Sequence, residues 1–152
     1  SFCWENRSKS TKLFLDKPLG DLDGDGDLDA FVGNAYFGCP DEVWLNDGHG
    51  RFTDTGQRLG DADTRTVVLE DVDGDGDLDA FTDHDDFGQI WVNDGSARFA
   101  DSGQRFDWSW QYAVHLADVD GDGDKDVFGI HFDGDCRVWR NDGTGHFVWR
   151  ED

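Results

Sequence analysis

The sequence has no apolar run long enough to cross a bilayer, which takes about 18 or more consecutive apolar residues. It is also poor in basic residues, with 13 lysines and arginines against 35 aspartates and glutamates and a formal net charge of −22. Nucleic acids and anionic membranes would repel this charge, so we expect neither nucleic acid binding nor membrane insertion. The acidity does not indicate disorder, because 12 Phe and 7 Trp residues supply apolar surface for a core.

Cysteine is scarce as well, and common catalytic motifs are absent. The three cysteines, Cys3, Cys39 and Cys136, form no C-x-x-C pair, which argues against a zinc or thioredoxin-type site. The metalloprotease pattern H-E-x-x-H and the nucleophile pattern G-x-S-x-G do not occur. We therefore expect a protein that is not an enzyme.

What the sequence does have is an internal repeat. The stretches DLDGDGDLDAF, DVDGDGDLDAF and DVDGDGDKDVF begin at residues 21, 71 and 118, with steps of 71 − 21 = 50 and 118 − 71 = 47 residues. Each is followed by VWLNDG, IWVNDG or VWRNDG, and then by Phe52, Phe99 or Phe147. Three markers in one order predict a single repeat domain over residues 1–152.

Each unit is predicted to contain four short β-strands. Runs such as TVVLED lead into the acidic loop, runs such as LDAFTD leave it, and Asn-Asp-Gly is a strong hairpin signal. No segment has helical periodicity. A four-stranded unit of this length is typical of one β-propeller blade. We therefore expect an all-β, propeller-type array of three four-stranded blades, at approximately 17–60, 64–106 and 112–152, in which Pro18 and Gly20 shorten the first strand.

Residues 1–20 are predicted to form an extra N-terminal strand with its connection, as the end of a preceding blade. Phe2 precedes the first loop by 21 − 2 = 19 residues, the spacing that Phe52 has to the second loop. Three blades fall short of the roughly four to eight of closed propellers. We expect strand pairing with other copies, or with other blades of a larger propeller, in a ring or filament. Pairing of this strand with the last blade would bring Cys3 to Cys136, which motivates a disulfide hypothesis.

The acidic stretch follows the pattern D-x-D-x-D-G-x-x-D, in which alternate carboxylates can turn toward one centre. Ca²⁺ takes about six to eight oxygen ligands, and the glycine at position 6 permits a sharp bend. Solvated acidic turns would leave the carboxylates repelling one another. An EF-hand needs flanking helices and a glutamate at position 12, where this chain has Val32, Thr82 or Gly129. Three Ca²⁺ sites are thus predicted, with the ligands Asp21, Asp23, Asp25, Asp27, Asp29, Asp71, Asp73, Asp75, Asp77, Asp79, Asp118, Asp120, Asp122, Asp124 and Asp126.

The loops, the unit length and the VWLNDG marker resemble the FG-GAP or VCBS repeats of integrin-type β-propellers over essentially the whole chain. The resemblance implies four-stranded blades with Ca²⁺ in the loop between the first and second strands. It also implies an extracellular or cell-surface setting and a role in adhesion, ligand binding or carbohydrate binding. We therefore expect a non-enzymatic, Ca²⁺-stabilised structural or adhesion module.

The remaining aromatic residues leave an alternative open. Trp44, Trp91 and Trp139 stand at equivalent positions, which predicts a packing layer. Trp108 and Trp110 have no counterparts in the first unit, so they either cap a blade junction or stack on a sugar ring. The second interpretation makes a propeller-type lectin the alternative function. Separately, Asn6 begins an Asn-Arg-Ser glycosylation pattern, which matters only in a secreted eukaryotic protein.

Overall fold

The structure is a computed structural model that describes residues 18–35, 38–107, 111–131 and 134–149. This part of the chain contains β-strands and no helix, so no helix in it could span a membrane. The strands are β1 Leu19–Gly20, β2 Asp29–Val32, β3 Glu42–Asn46, β4 Phe52–Asp54, β5 Thr66–Glu70, β6 Asp79–Asp83, β7 Phe87–Asn93, β8 Phe99–Asp107, β9 Gln111–Ala117, β10 Asp126–His131, β11 Cys136–Asn141 and β12 Phe147–Trp149.

The strands form three four-stranded antiparallel sheets, each in chain order. The first sheet is β1-β2-β3-β4, the second is β5-β6-β7-β8, and the third is β9-β10-β11-β12. The prediction of an all-β chain with three four-stranded units is confirmed. As predicted, β1 is short: it pairs with β2 over two residues, and one more backbone bond runs from Phe31 N–H to the Pro18 carbonyl (3.3 Å).

Two apolar clusters join neighbouring sheets, and we call them the first and second junctions. The first lies between the first and second sheets and the other between the second and third sheets. Trp91 and Trp139 are buried in them, as a packing layer requires, whereas Trp44 is only half-buried. Edge-to-face ring pairs cross both junctions, with centroid separations of 5.2 Å for Phe31–Phe99 and 5.4 Å for Phe106–Phe147. Aromatic and aliphatic burial therefore holds the three sheets together.

A glutamine closes each junction with a pair of hydrogen bonds. Gln57 accepts from Phe99 N–H (2.9 Å) and donates to the Ala97 carbonyl (2.6 Å). Gln104 bonds to the N–H of Phe147 and the carbonyl of residue 145 in the same way. The side-chain amide thus imitates a neighbouring strand. Sequence reasoning missed these links, although the repeated Gly-Gln-Arg of TDTGQRL and ADSGQRF was the signal.

The predicted Cys3–Cys136 disulfide is wrong for this structure. Cys136 is a free, exposed thiol, and Cys39 is disulfide-bonded. The hypothesis needed an open edge on the third strand of the last sheet. That strand, β11, already has β10 on one side and β12 on the other, so it has no open edge. Other predictions concern residues outside the described part of the chain, namely Phe2, Cys3, Asn6, Trp108 and Trp110.

Candidate metal centres

Each acidic loop connects the first and second strands of its sheet and is held in shape by its own carboxylates. Asp21, at position 1, accepts hydrogen bonds from the backbone N–H groups of Gly24 (2.8 Å) and Gly26 (3.0 Å). Asp71 and Asp118 make the same two bonds in the other loops. The φ angle of Gly26 is 92°, in the left-handed region that glycine tolerates, as the predicted bend requires. The three loops therefore share these two backbone turns.

The aspartate at position 9 ties each loop to the hairpin turn of the same sheet. Asp29, Asp79 and Asp126 are fully buried at the start of the second strand. One oxygen of Asp29 accepts from Leu22 N–H at position 2 (3.0 Å), and the other accepts from Asn46 N–H at the end of β3 (2.8 Å). The same pair of bonds recurs in the second and third sheets. The Asn-Asp-Gly marker and the acidic loop are thus two parts of one site.

In each loop, three carboxylates bring one oxygen apiece to within 4.8 Å of one another. Ligands about 2.3–2.6 Å from a common ion lie at most about 5 Å apart, so this spacing fits a Ca²⁺ ion. The donors are all carboxylate oxygens, which hard cations prefer and zinc or copper sites do not. The converging groups are Asp21, Asp23 and Asp29; Asp71, Asp73 and Asp79; and Asp118, Asp120 and Asp122.

The structure leaves six of the predicted ligands outside these groups, namely Asp25, Asp27, Asp75, Asp77, Asp124 and Asp126. At position 5, Asp25 accepts from the N–H of Asp27 (2.9 Å), and Asp122 accepts the same bond in the third loop, where it belongs to the converging group. Position 7 turns toward the hairpin, since a methyl group on Gly48 would come within 2.5 Å of Asp27 Oδ2. Sequence spacing alone predicts all five acids of a loop as ligands.

Burial and mutual repulsion act on the clustered carboxylates. Burial raises the pKa of Asp79 to about 6, although hydrogen bonds from Asn93 and Val72 oppose the change. Burial, with repulsion from neighbouring carboxylates, also raises the pKa values of Asp23 and Asp73. Ionising these carboxyl groups therefore costs free energy, and a cation in the loop would offset that cost.

The third loop differs from the other two by having basic neighbours. Arg140 Nη1 lies 3.3 Å from Asp120 Oδ2, and the equivalent residues of the other sheets are Leu45 and Val92. Position 8 is Lys125, where the other loops have leucine. The converging carboxylates of this loop are also more exposed. A guanidinium beside one donor competes with a bound cation, so the three loops are not equivalent.

A second buried polar cluster lies outside the loops, and sequence reasoning missed it. Asp41, which is 2 % exposed, accepts hydrogen bonds from Asn34 N–H and from the Thr64 hydroxyl, both at 2.8 Å. Burial raises the pKa of Asp41 to about 7. His84 contacts Thr64 (3.4 Å) and Thr82 (3.2 Å), and burial lowers its pKa to about 4. The imidazole is therefore neutral at physiological pH, between two hydroxyl groups.

Comparisons with known proteins agree with this architecture. The sequence model of the FG-GAP-like repeat family matches residues 21–82 and 71–129, which is more than half of the chain. No curated protein matches the sequence. In structure, the chain is similar to a chain of the Photorhabdus luminescens Tc holotoxin pore, with a TM-score of 0.58 and 22 % identity. The similarity covers 92 % of this chain and 7 % of that chain, and it concerns the fold alone.

Proposed function

The chain belongs to the FG-GAP-like repeat family, and we propose that it is a non-enzymatic, Ca²⁺-stabilised structural or adhesion module that works outside the cell. In this proposal the three sheets are blades of a propeller-type assembly, and each acidic loop binds one Ca²⁺ ion. The observation that carries the proposal is the threefold repetition of a loop in which three carboxylates converge.

The bound ion would supply positive charge to a cluster of carboxylates, and hydrogen bonds within the chain would connect that cluster to the strands. In the first two sheets the position 1 and position 9 aspartates already bind the loop backbone and the hairpin, so a cation held by both would lock the first three strands of the sheet together. Three such ions would change the formal net charge from −22 to −22 + 6 = −16. Ligand binding at about one hundred times Kd stabilises a fold by about 2.7 kcal/mol per site.

An extracellular setting is supported by cysteine chemistry. Cys39 is disulfide-bonded, and such bonds persist in oxidising compartments. The absence of enzymatic activity is supported by how the titratable groups are used. The position 9 carboxylates accept hydrogen bonds from backbone N–H groups, and His84 lies buried between two threonines. The lectin alternative rests on Trp108 and Trp110, outside the described residues, and nothing in the described part favours it.

Thermal melting with and without a chelator tests the proposal. We expect EGTA to lower the melting temperature markedly, and added Ca²⁺ to restore it at concentrations where Mg²⁺ does not. Asp73→Asn should weaken Ca²⁺ binding in isothermal titration, because it removes a converging ligand. Asp86→Asn removes the same charge from an exposed site outside the loops and is the control. An unchanged melting temperature on chelation would refute stabilisation by Ca²⁺.

A further inference from the structure

The two outer faces of the three-sheet array carry apolar side chains that are buried at the internal junctions. We call the face of a sheet toward the preceding sheet its leading face, and the face toward the next sheet its trailing face. Phe52 is 40 % exposed on the leading face of the first sheet, whereas its counterparts Phe99 and Phe147 are each 8 % exposed. Val119 is 45 % exposed on the trailing face of the third sheet, whereas Leu22 and Val72 are 1 % and 3 % exposed.

Other residues repeat this contrast. On the leading face of the first sheet, Leu19 and Leu28 are exposed, while their counterparts Leu69 and Leu78 pack against the first junction. On the trailing face of the third sheet, Phe128 is half-buried, while Phe31 and Phe81 are fully buried. The described residues thus present one half of a junction at each end of the array. We propose that the leading face of one copy of this chain docks on the trailing face of a second copy, which repeats the internal junction between two molecules.

At the leading face of the first sheet, within the described part of the chain, one side-chain amide lacks an acceptor that its counterparts have at the internal junctions. The side-chain amides of Asn93 and Asn141 each donate to two carbonyls, one in their own sheet and one at loop position 2 of the preceding sheet. The latter acceptors are Leu22 and Val72. Among the described residues, the amide of Asn46 donates only to Leu28, in its own sheet. Its second hydrogen therefore matches the Val119 carbonyl of a docked copy.

Side-chain pairing at one junction position favours a second copy as the occupant. At the first junction, Leu78 packs on Gly20, since a methyl group there would come within 2.7 Å of Leu78 Cδ1. At the second junction, the equivalent pair is Lys125 and Glu70, whose charged atoms lie 3.5 Å apart. Between two copies, the equivalent pair is Leu28 and Ala117, both exposed. A leucine again meets a small residue, and only the end of its side chain has to shift.

The intermolecular junction lacks the glutamine link. The repeat position of Gln57 and Gln104 is Asp152 in the sequence, and a carboxylate has no N–H to donate as the glutamine amide does. The contact should therefore be weaker than an internal junction, and association should be reversible and dependent on concentration. Because the two faces differ, the contact is head-to-tail, and it generates a ring or an open polymer according to its rotation.

Complementation between two variants tests the proposal. Phe52→Glu places a carboxylate on the leading face and Val119→Glu places one on the trailing face. We expect the wild-type chain to associate in Ca²⁺ by sedimentation velocity, and each variant alone to remain a 17.1 kDa monomer. An equimolar mixture should form a one-to-one pair, since each variant keeps the face that the other has lost. Ala117→Glu is a second trailing-face variant, should Val119→Glu melt early.

Thr53→Glu is the matched control, because it adds the same charge to the next residue of β4. Thr53 and its counterparts Ala100 and Val148 are exposed in all three sheets, so this position lies outside the junctions. A monomeric wild type would overturn the proposal and leave these faces to other sheets. A mixture that does not pair, or a Thr53→Glu chain that dissociates, would also overturn it. The inference rests on the proposed function, but the two fail separately: a chain that binds Ca²⁺ and stays monomeric refutes only the interface, whereas one that binds no Ca²⁺ refutes the function.

Discussion

Replacing Asp41 by asparagine is expected to change how the stability of this protein depends on pH. The carboxyl group is buried, and its pKa in the folded chain is raised to about 7, whereas an unfolded aspartate has a pKa of about 3.9. Between these two values the folded chain holds a proton that the unfolded chain has released. The free energy of unfolding contributed by Asp41 is therefore fully present below about pH 4 and is lost as the pH rises through about 7.

The size of the effect follows from the difference between the two pKa values. A difference of about 3 units, at about 1.4 kcal/mol per unit, gives a loss of roughly 4 kcal/mol across the whole range. Asparagine is close to aspartate in shape and stays neutral, so the variant should not lose this free energy of unfolding as the pH rises. Its oxygen can accept from Asn34 N–H as before. Its amide can donate to Thr64, whose hydroxyl then turns to the neutral ring of His84.

Urea unfolding between about pH 5 and pH 8 in saturating Ca²⁺, followed by tryptophan fluorescence, measures the difference between Asp41→Asn and wild type. The contributions of the other titrating groups cancel when the two chains are compared. Asp86→Asn is the control for a lost surface charge. We expect the free energy of unfolding of the variant to increase relative to that of wild type as the pH rises, and the variant to be the more stable chain at pH 8. A difference that changes by less than about 1 kcal/mol over this range would refute the argument that a buried, titrating carboxyl group lies there.

Two further predictions concern the third loop and the second junction. Arg140→Leu should raise the Ca²⁺ affinity of the third loop by up to about five-fold in isothermal titration, because a partly exposed ion pair with Asp120 is worth up to about 1 kcal/mol. Arg137→Leu, on the same strand, is the control, and equal effects from both would contradict the reasoning. Gln104→Ala should lower the free energy of unfolding by about 2 kcal/mol, since it removes two hydrogen bonds across the junction. An unchanged urea midpoint would show that solvent replaces them without loss.

The sequence predicted those features that repeat along the chain and depend on neighbouring residues. The strands before and after each acidic loop, the hairpin at Asn-Asp-Gly and the short β1 follow from local patterns, and the structure contains them. The bend at the position 6 glycine is equally local, because a positive φ depends on the backbone of that residue alone.

Features that depend on distant partners were not predicted. Asp41, Thr64 and His84 meet across 20 to 23 residues, and no repeat marks them, so no spacing pointed to the cluster. The links through Gln57 and Gln104 do repeat, but a glutamine in a polar stretch looks like an ordinary surface residue until its partner strand is known. The role of the position 9 aspartate was also hidden, because one of its two backbone N–H partners lies on a strand 17 residues away.

The metal loop and the junction share one residue, which links ion binding to the arrangement of the sheets. At loop position 2, the N–H of Leu22 is bound by the buried Asp29, while its carbonyl accepts from Asn93 and Ala97 of the next sheet. Val72 is held by Asp79 and Asn141 in the same way. A cation that fixes the position 9 carboxylate therefore also fixes the acceptor on which the next sheet docks. In the third loop the converging carboxylates include Asp118 and Asp120, the neighbours of Val119, so a cation there would order the Val119 carbonyl through them, and association should weaken when Ca²⁺ is removed.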